Sequence, residues 1–138
     1  MDLGIVKLTR DHHAPRRARE AVTAWVGYEH AALDVLTLAT SELVTNAVKH
    51  ADNGFERRWL LLHLGRGIDF LRLSVTDPGS ALSVPFSIPS QVPMSNAEAE
   101  NGRGLAIVAE LSRGRWGSHL LPQSMHRVVW CHLDIEVT

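Results

Sequence analysis

The chain has 138 residues, 45% of them hydrophobic and 21% charged, with 14 Lys+Arg against 15 Asp+Glu. That length predicts one domain over residues 1–138, and the composition is that of an ordinary globule, not of a disordered tail or a collagen-like repeat. A formal net charge of −1 lacks the basic excess of an electrostatic nucleic-acid binder, so no direct nucleic-acid partner is expected.

Leu3 to Leu8 is rich in β-formers and reads as a first strand. Asp11 is placed to cap a helix over Ala14 to Val26, with Pro15 tolerated in its first turn. This helix carries Arg16, Arg17 and Arg19. They suit a solvated face, or a docking surface for a protein partner. The first twenty residues, Met1 to Glu20, turn charged after a few apolar positions, so no signal peptide is expected.

Ala31 to Ala51 is the strongest helical pattern, with apolar residues at helical spacing and no Gly or Pro to interrupt it. Asn53-Gly54 supplies the stop. Two β-rich runs follow, Arg58–Leu64 and Ile68–Thr76, and Gly65-Arg66-Gly67 between them predicts an antiparallel hairpin. The longest apolar run, Trp59 to Leu64, is a strand's length, so no membrane span is expected.

From Asp77 to Asn101 four prolines and several serines leave no clear period. A connection this long inside a small domain reads as a lid or binding loop. A third helix is expected after Gly102-Arg103-Gly104, through Leu105, Val108 and Leu111. Two strands, about Arg115–Leu121 and His126–Glu136, close the chain. Such an order predicts an α+β two-layer sandwich: a mixed sheet of about five strands with about three helices on one face. Trp25, Trp59, Trp116 and Trp130 read as core or sheet packing. The lone Cys131 reads as a small buried hydrophobe and fits a reducing compartment, with the cytoplasm as the expected location.

Three constellations carry chemistry. On the long helix Glu42, Asn46 and Lys49 fall within an arc of about 60° beside the apolar stripe. The amide oxygen of Asn46 suits Mg²⁺, Glu42 is placed to accept a proton, and Lys49 supplies a point charge for phosphate. On spacing alone an ordinary Glu–Lys surface helix fits as well. Asp77-Pro78-Gly79 ends a strand with a carboxylate suited to an exocyclic amine, although the same triplet is a common turn. Gly102 and Gly104 before a helix offer N–H groups to an anion. The eight histidines show no metal-ligand spacing.

Taken in order, Ser41-Glu42-Leu43-Val44-Thr45-Asn46-Ala47-Val48-Lys49-His50-Ala51, then Val75-Thr76-Asp77-Pro78-Gly79, then Gly102-Arg103-Gly104-Leu105-Ala106-Ile107-Val108 resemble the N, G1 and G2 boxes of the GHKL (histidine kinase-like) ATPases. Within that superfamily the branch of serine kinase anti-sigma factors and their actinobacterial relatives is most similar, and Arg115-Trp116-Gly117 matches its strand after the third box. The resemblance implies a Bergerat-type ATP-binding sandwich with a lid over about residues 78–101. It implies Asn46 on Mg²⁺, Glu42 as catalytic base and Lys49 on phosphate. Asp77 would bind the adenine amine over Gly79, while Gly102, Arg103, Gly104 and Leu105 close over the phosphates.

The implied activity is ATP-dependent serine/threonine protein kinase action in transcription regulation. The implied partners are a sigma factor and an anti-sigma-factor antagonist whose serine is phosphorylated, and homodimers are common in that branch. The alternative is a nucleotide-sensing, partner-binding module with little or no kinase activity. Two departures weaken the expected affinity. Relatives carry Gly-x-Thr before the last strand, and here that hydroxyl is missing at Val128, a loss of roughly 0.5–1.5 kcal/mol. The second glycine of the G1 box is also absent, with Ser80 and Ala81 after Gly79.

Overall fold

The computed structural model describes residues 1–49, 58–78 and 96–136, side chains of 96–103 aside. The element order is β1 (Asp2–Thr9), α1 (Ala14–Val26), α2 (Leu33–Lys49), β2 (Trp59–Arg66), β3 (Phe70–Asp77), α3 (Asn96–Leu111), β4 (Trp116–Leu120) and β5 (Arg127–Asp134). The strands form one five-stranded sheet in the order β1-β2-β3-β5-β4. The α+β class expected from the sequence is the class observed.

Every neighbouring pair in the sheet is antiparallel, where a mixed sheet was expected. The connections explain the difference. Two helices between β1 and β2 make three chain reversals, an odd number, so β2 runs against β1. The single helix after β3 sends β4 parallel to β3. The two never pair, because β5 returns between them.

The strands alternate in phase, as a half-buried sheet requires. Leu60, Leu62 and Leu64 of β2, Leu71, Leu73 and Val75 of β3, and Val129, Cys131 and Leu133 of β5 all enter one buried cluster. The helices cover this face. α2 contributes Leu36, Ala39, Leu43, Val44 and Ala47, and α1 contributes Ala14, Ala18 and Val22. α2 packs between α1 and α3 and lies over β3 and β5. Burying five apolar α2 side chains supplies more stabilisation than its intrinsic propensity could, since isolated helices of this length are marginal.

β1 holds its place through Gly4. A Cβ there would sit 2.1 Å from Cε2 of Trp25, so only glycine lets the α1 indole lie on the strand. The opposite sheet face carries Trp59, with Lys7 above its ring at 5.6 Å, and Trp130, with Arg72 above its ring at 4.6 Å. Long cationic side chains thus shield two of the tryptophans from water.

Two local expectations are corrected. The cap position of α1 is His13, with no side-chain hydrogen bond. Asp11 instead accepts from the His13 N–H at 2.9 Å, closing an Asx-type turn two residues on. The third helix begins at Asn96, not after Gly104. Ala and Glu are strong helix formers, and Glu98 and Glu100 lie toward the positive N-terminal end, so this stretch is helical despite the glycines that follow. Residues 79–95 lie outside the described set, as do His50 to Arg57, which include the stop expected at Asn53-Gly54. Among the described residues no helix is long and apolar enough to cross a membrane.

Candidate functional site

α2 sets the frame. Its core stripe fixes the rotation of the helix, which leaves Glu42 half-buried and Asn46 buried one turn later on the same side. The side-chain oxygen Oδ1 of Asn46 is buried and has no hydrogen-bond partner among the described residues. An orphan acceptor of this kind destabilises a fold by about 1–3 kcal/mol, so its presence calls for a reason outside the fold. It is also the hard oxygen donor that Mg²⁺ accepts, in a cation that typically takes few protein ligands. Lys49 is exposed at the end of the helix.

α3 meets α2 at Gly104. A Cβ there would lie 2.7 Å from Oε2 of Glu42, so the glycine makes room for the carboxylate. Leu105 beside it packs against the core. The sequence expected Gly102, Arg103, Gly104 and Leu105 to offer free N–H groups at a helix start. In this structure they lie inside α3, past the first four N–H groups that a helix leaves unbonded. The phosphate cradle is therefore not formed here. Gly102 and Gly104 each weaken a helix by roughly 0.5–1 kcal/mol relative to Ala.

Asp77 ends β3 in phase with Leu71, Leu73 and Val75, so it faces the helix layer and is fully buried. Two guanidiniums meet it. Arg127 donates from Nη2 to Oδ2 at 3.1 Å, and Arg10 Nη2 stands 3.5 Å from Oδ1. Arg10 also donates from Nε to the Ala47 carbonyl at 2.8 Å. This carbonyl is among the last four of α2, where the helix dipole is negative. One side chain thus joins the end of α2, beside Asn46, to the end of β3. Gly79 lies outside the described residues.

The register sets Val128, where the hydroxyl is missing, one residue past the partner of Asp77. Asp77 pairs with Arg127, and Val128 pairs with Thr76. Directly opposed residues on antiparallel strands point to the same face, so it is position 127, not 128, that stands beside the carboxylate. Sequence reasoning missed Arg10 and Arg127 as site residues. A signal was present: Arg10 keeps the inward phase of Val6 and Leu8, and Arg127 that of Val129, Cys131 and Leu133.

The basic helix divides in role. Arg19 turns inward and donates to Ser41 Oγ at 3.0 Å, while Arg16 pairs with Glu20 and Arg17 with Asp11 at the surface.

Glu42, Asn46, Gly104 and Asp77 are therefore joined through α2: directly at Gly104, and through Arg10 at Asp77. The chain matches the family model of the histidine kinase-like ATPase domain over residues 8–114. It belongs to that family. Histidine kinase-like ATPase domains bind ATP, usually with Mg²⁺. The three boxes lie within the matched span, and the unpartnered Asn46 oxygen fits a hard cation. Among curated proteins none matches the chain.

Proposed function

We propose that this histidine kinase-like ATPase domain is a cytoplasmic serine/threonine protein kinase acting as an anti-sigma factor, which phosphorylates a serine of an anti-sigma-factor antagonist. The observation that carries the reading is the pairing of two groups one turn apart on α2. The Glu42 carboxylate is held against Gly104, and the buried Asn46 oxygen has no protein partner among the described residues.

Asn46 Oδ1 would hold Mg²⁺, which neutralises charge on the phosphate oxygens of ATP. Glu42 takes the proton of the attacking serine hydroxyl, and Lys49 contributes positive charge near the phosphates. Asp77 accepts from the exocyclic amine of the base. Phosphoryl transfer is largely positioning and charge neutralisation, so this set suffices. Arg16 and Arg17 on the exposed side of α1 are candidate contacts for the protein partner.

A second reading is a nucleotide-sensing, partner-binding module without transfer. The helical course of residues 102–105 favours it, because no phosphate cradle is formed there. Radiolabelled Mg-ATP, incubated with the protein and the antagonist-type proteins of its own organism, separates the two. Label on a partner serine with the wild type, absent with Glu42→Ala although that variant still binds Mg-ATP, supports the kinase. Binding without label on any partner supports the module.

A further inference from the structure

Three charged side chains occupy core-facing positions at one end of the sheet, each on a different strand or at its end. Asp77 has 1% side-chain exposure, Arg10 0% and Arg127 14%. Stability alone accounts poorly for such a group. Replacing buried ion clusters by apolar residues of similar volume is often neutral or stabilising. Here Arg127 Nε is in addition buried without a hydrogen-bond partner among the described residues. At the end of the sheet that Arg10 ties to α2, such an arrangement suits a role other than packing.

Geometry suggests what. The two guanidiniums approach different oxygens of Asp77, Arg10 at Oδ1 and Arg127 at Oδ2. With one contact a carboxylate can still rotate about its Cβ–Cγ bond. With one oxygen hydrogen-bonded by Arg127 from β5 and the other facing the Arg10 guanidinium at 3.5 Å from the end of β1, that rotation is restrained and the plane of the carboxylate is set. Arg10 is itself tied to Ala47 at the end of α2, so that plane is set relative to the helix carrying Asn46.

We propose that Arg10 and Arg127 are positioning residues for base recognition, which set the orientation of Asp77 so that the site accepts a purine with an exocyclic amine at C6 and rejects one with a carbonyl there. This rests on Asp77 receiving the base, as proposed above. Adenine presents a donor at that position, whereas a 6-oxo purine presents an acceptor that faces the carboxylate unfavourably. A carboxylate free to turn loses that discrimination, because another of its lone pairs can meet the N1–H of the 6-oxo base.

The test is equilibrium binding of Mg-ATP, Mg-ITP and Mg-tripolyphosphate to the wild type and to Arg127→Leu, Arg127→Lys and Arg10→Lys, with thermal melts showing which variants are folded. The wild type should prefer ATP over ITP by about tenfold or more, the scale of one charge-assisted hydrogen bond. In Arg127→Leu the preference should collapse to within about threefold while tripolyphosphate binding is unchanged, since the polyphosphate does not touch Asp77. Lysine keeps the charge but not the fork, so both Lys variants should show a reduced preference.

Equal weakening of all three ligands in the variants would make the arginines structural and overturn the proposal, as would a full wild-type preference in the folded variants. Should Arg127→Leu not fold, the two Lys variants decide on the same criterion. Wild-type binding of tripolyphosphate without discrimination between ATP and ITP would remove Asp77 from base recognition. Failure of the wild type to bind any of the three would overturn the nucleotide site itself, a result distinct from the others.

Discussion

Glu42 and Gly104 lie so close that a Cβ on the glycine would stand 2.7 Å from the carboxylate oxygen Oε2. The contact joins the first and third sequence boxes, which are 62 residues apart, and it makes a side chain at 104 compete with the proposed base for space.

Gly104→Ala therefore separates stability from transfer. The carboxylate is the flexible end of its side chain and can swing away, while alanine favours the helix by roughly 0.5–1 kcal/mol over glycine. Urea unfolding should show little loss of stability or a small gain. Phosphate transfer to a partner should fall by about 10²-fold or more, the range for losing a positioned general base. Unchanged transfer would show that Glu42 does not need its observed position.

Asp77 is expected to behave as a structural residue as well as a binding one. Removing the partner of a buried charge destabilises by about 3–5 kcal/mol, and here two guanidiniums would be left facing a neutral group. Asp77→Ala should lower the urea midpoint strongly with little change in m-value. Loss of nucleotide binding in that variant says nothing about the base until folding has been measured. A variant as stable as the wild type would contradict the ion cluster.

Cys131 gives a pH dependence. Burial pushes its thiol up to about 12 from an ordinary 9.0, an effect that outweighs the opposing pull of Arg72 and Arg115. A raised value means that the folded state holds the proton more tightly than the unfolded chain. Its contribution is complete below pH 9.0 and is lost as pH rises toward 12. Melts across pH 8 to 11 should show a decline that is shallower in Cys131→Ala relative to that variant's own neutral-pH stability. The native thiol should also resist alkylation near pH 8 until the protein is unfolded. Prompt alkylation of the folded protein would contradict the burial.

Much of this architecture was legible in the residues. α1 runs over the predicted span, because Ala18, Val22 and Val26 recur at helical spacing, and the hairpin of β2 and β3 follows from its glycines and β-formers. Less legible was anything decided between distant segments. Nothing local shows that β5 returns between β3 and β4, and that placement makes the sheet antiparallel and sets Arg127 beside Asp77. α3 starts ahead of the glycine pair that suggests its beginning, because the Ala/Glu run before those glycines is itself strongly helix-forming. Arg10, Asp77 and Arg127 were readable in principle, since each keeps the inward phase of its strand. Charge at such positions breaks the apolar pattern, and here the three breaks converge in one buried ion cluster.

The central claim, a magnesium–nucleotide site built on Asn46, is tested most directly by calorimetric titration of Mg-ATP into the wild type and Asn46→Ala, beside melts without ligand. Removing an orphan buried oxygen should leave the ligand-free melting temperature unchanged or raised. Saturable binding by the wild type should disappear in that equally stable variant. Equal Mg-ATP affinity in the two proteins, or none in the wild type at millimolar nucleotide, would contradict it.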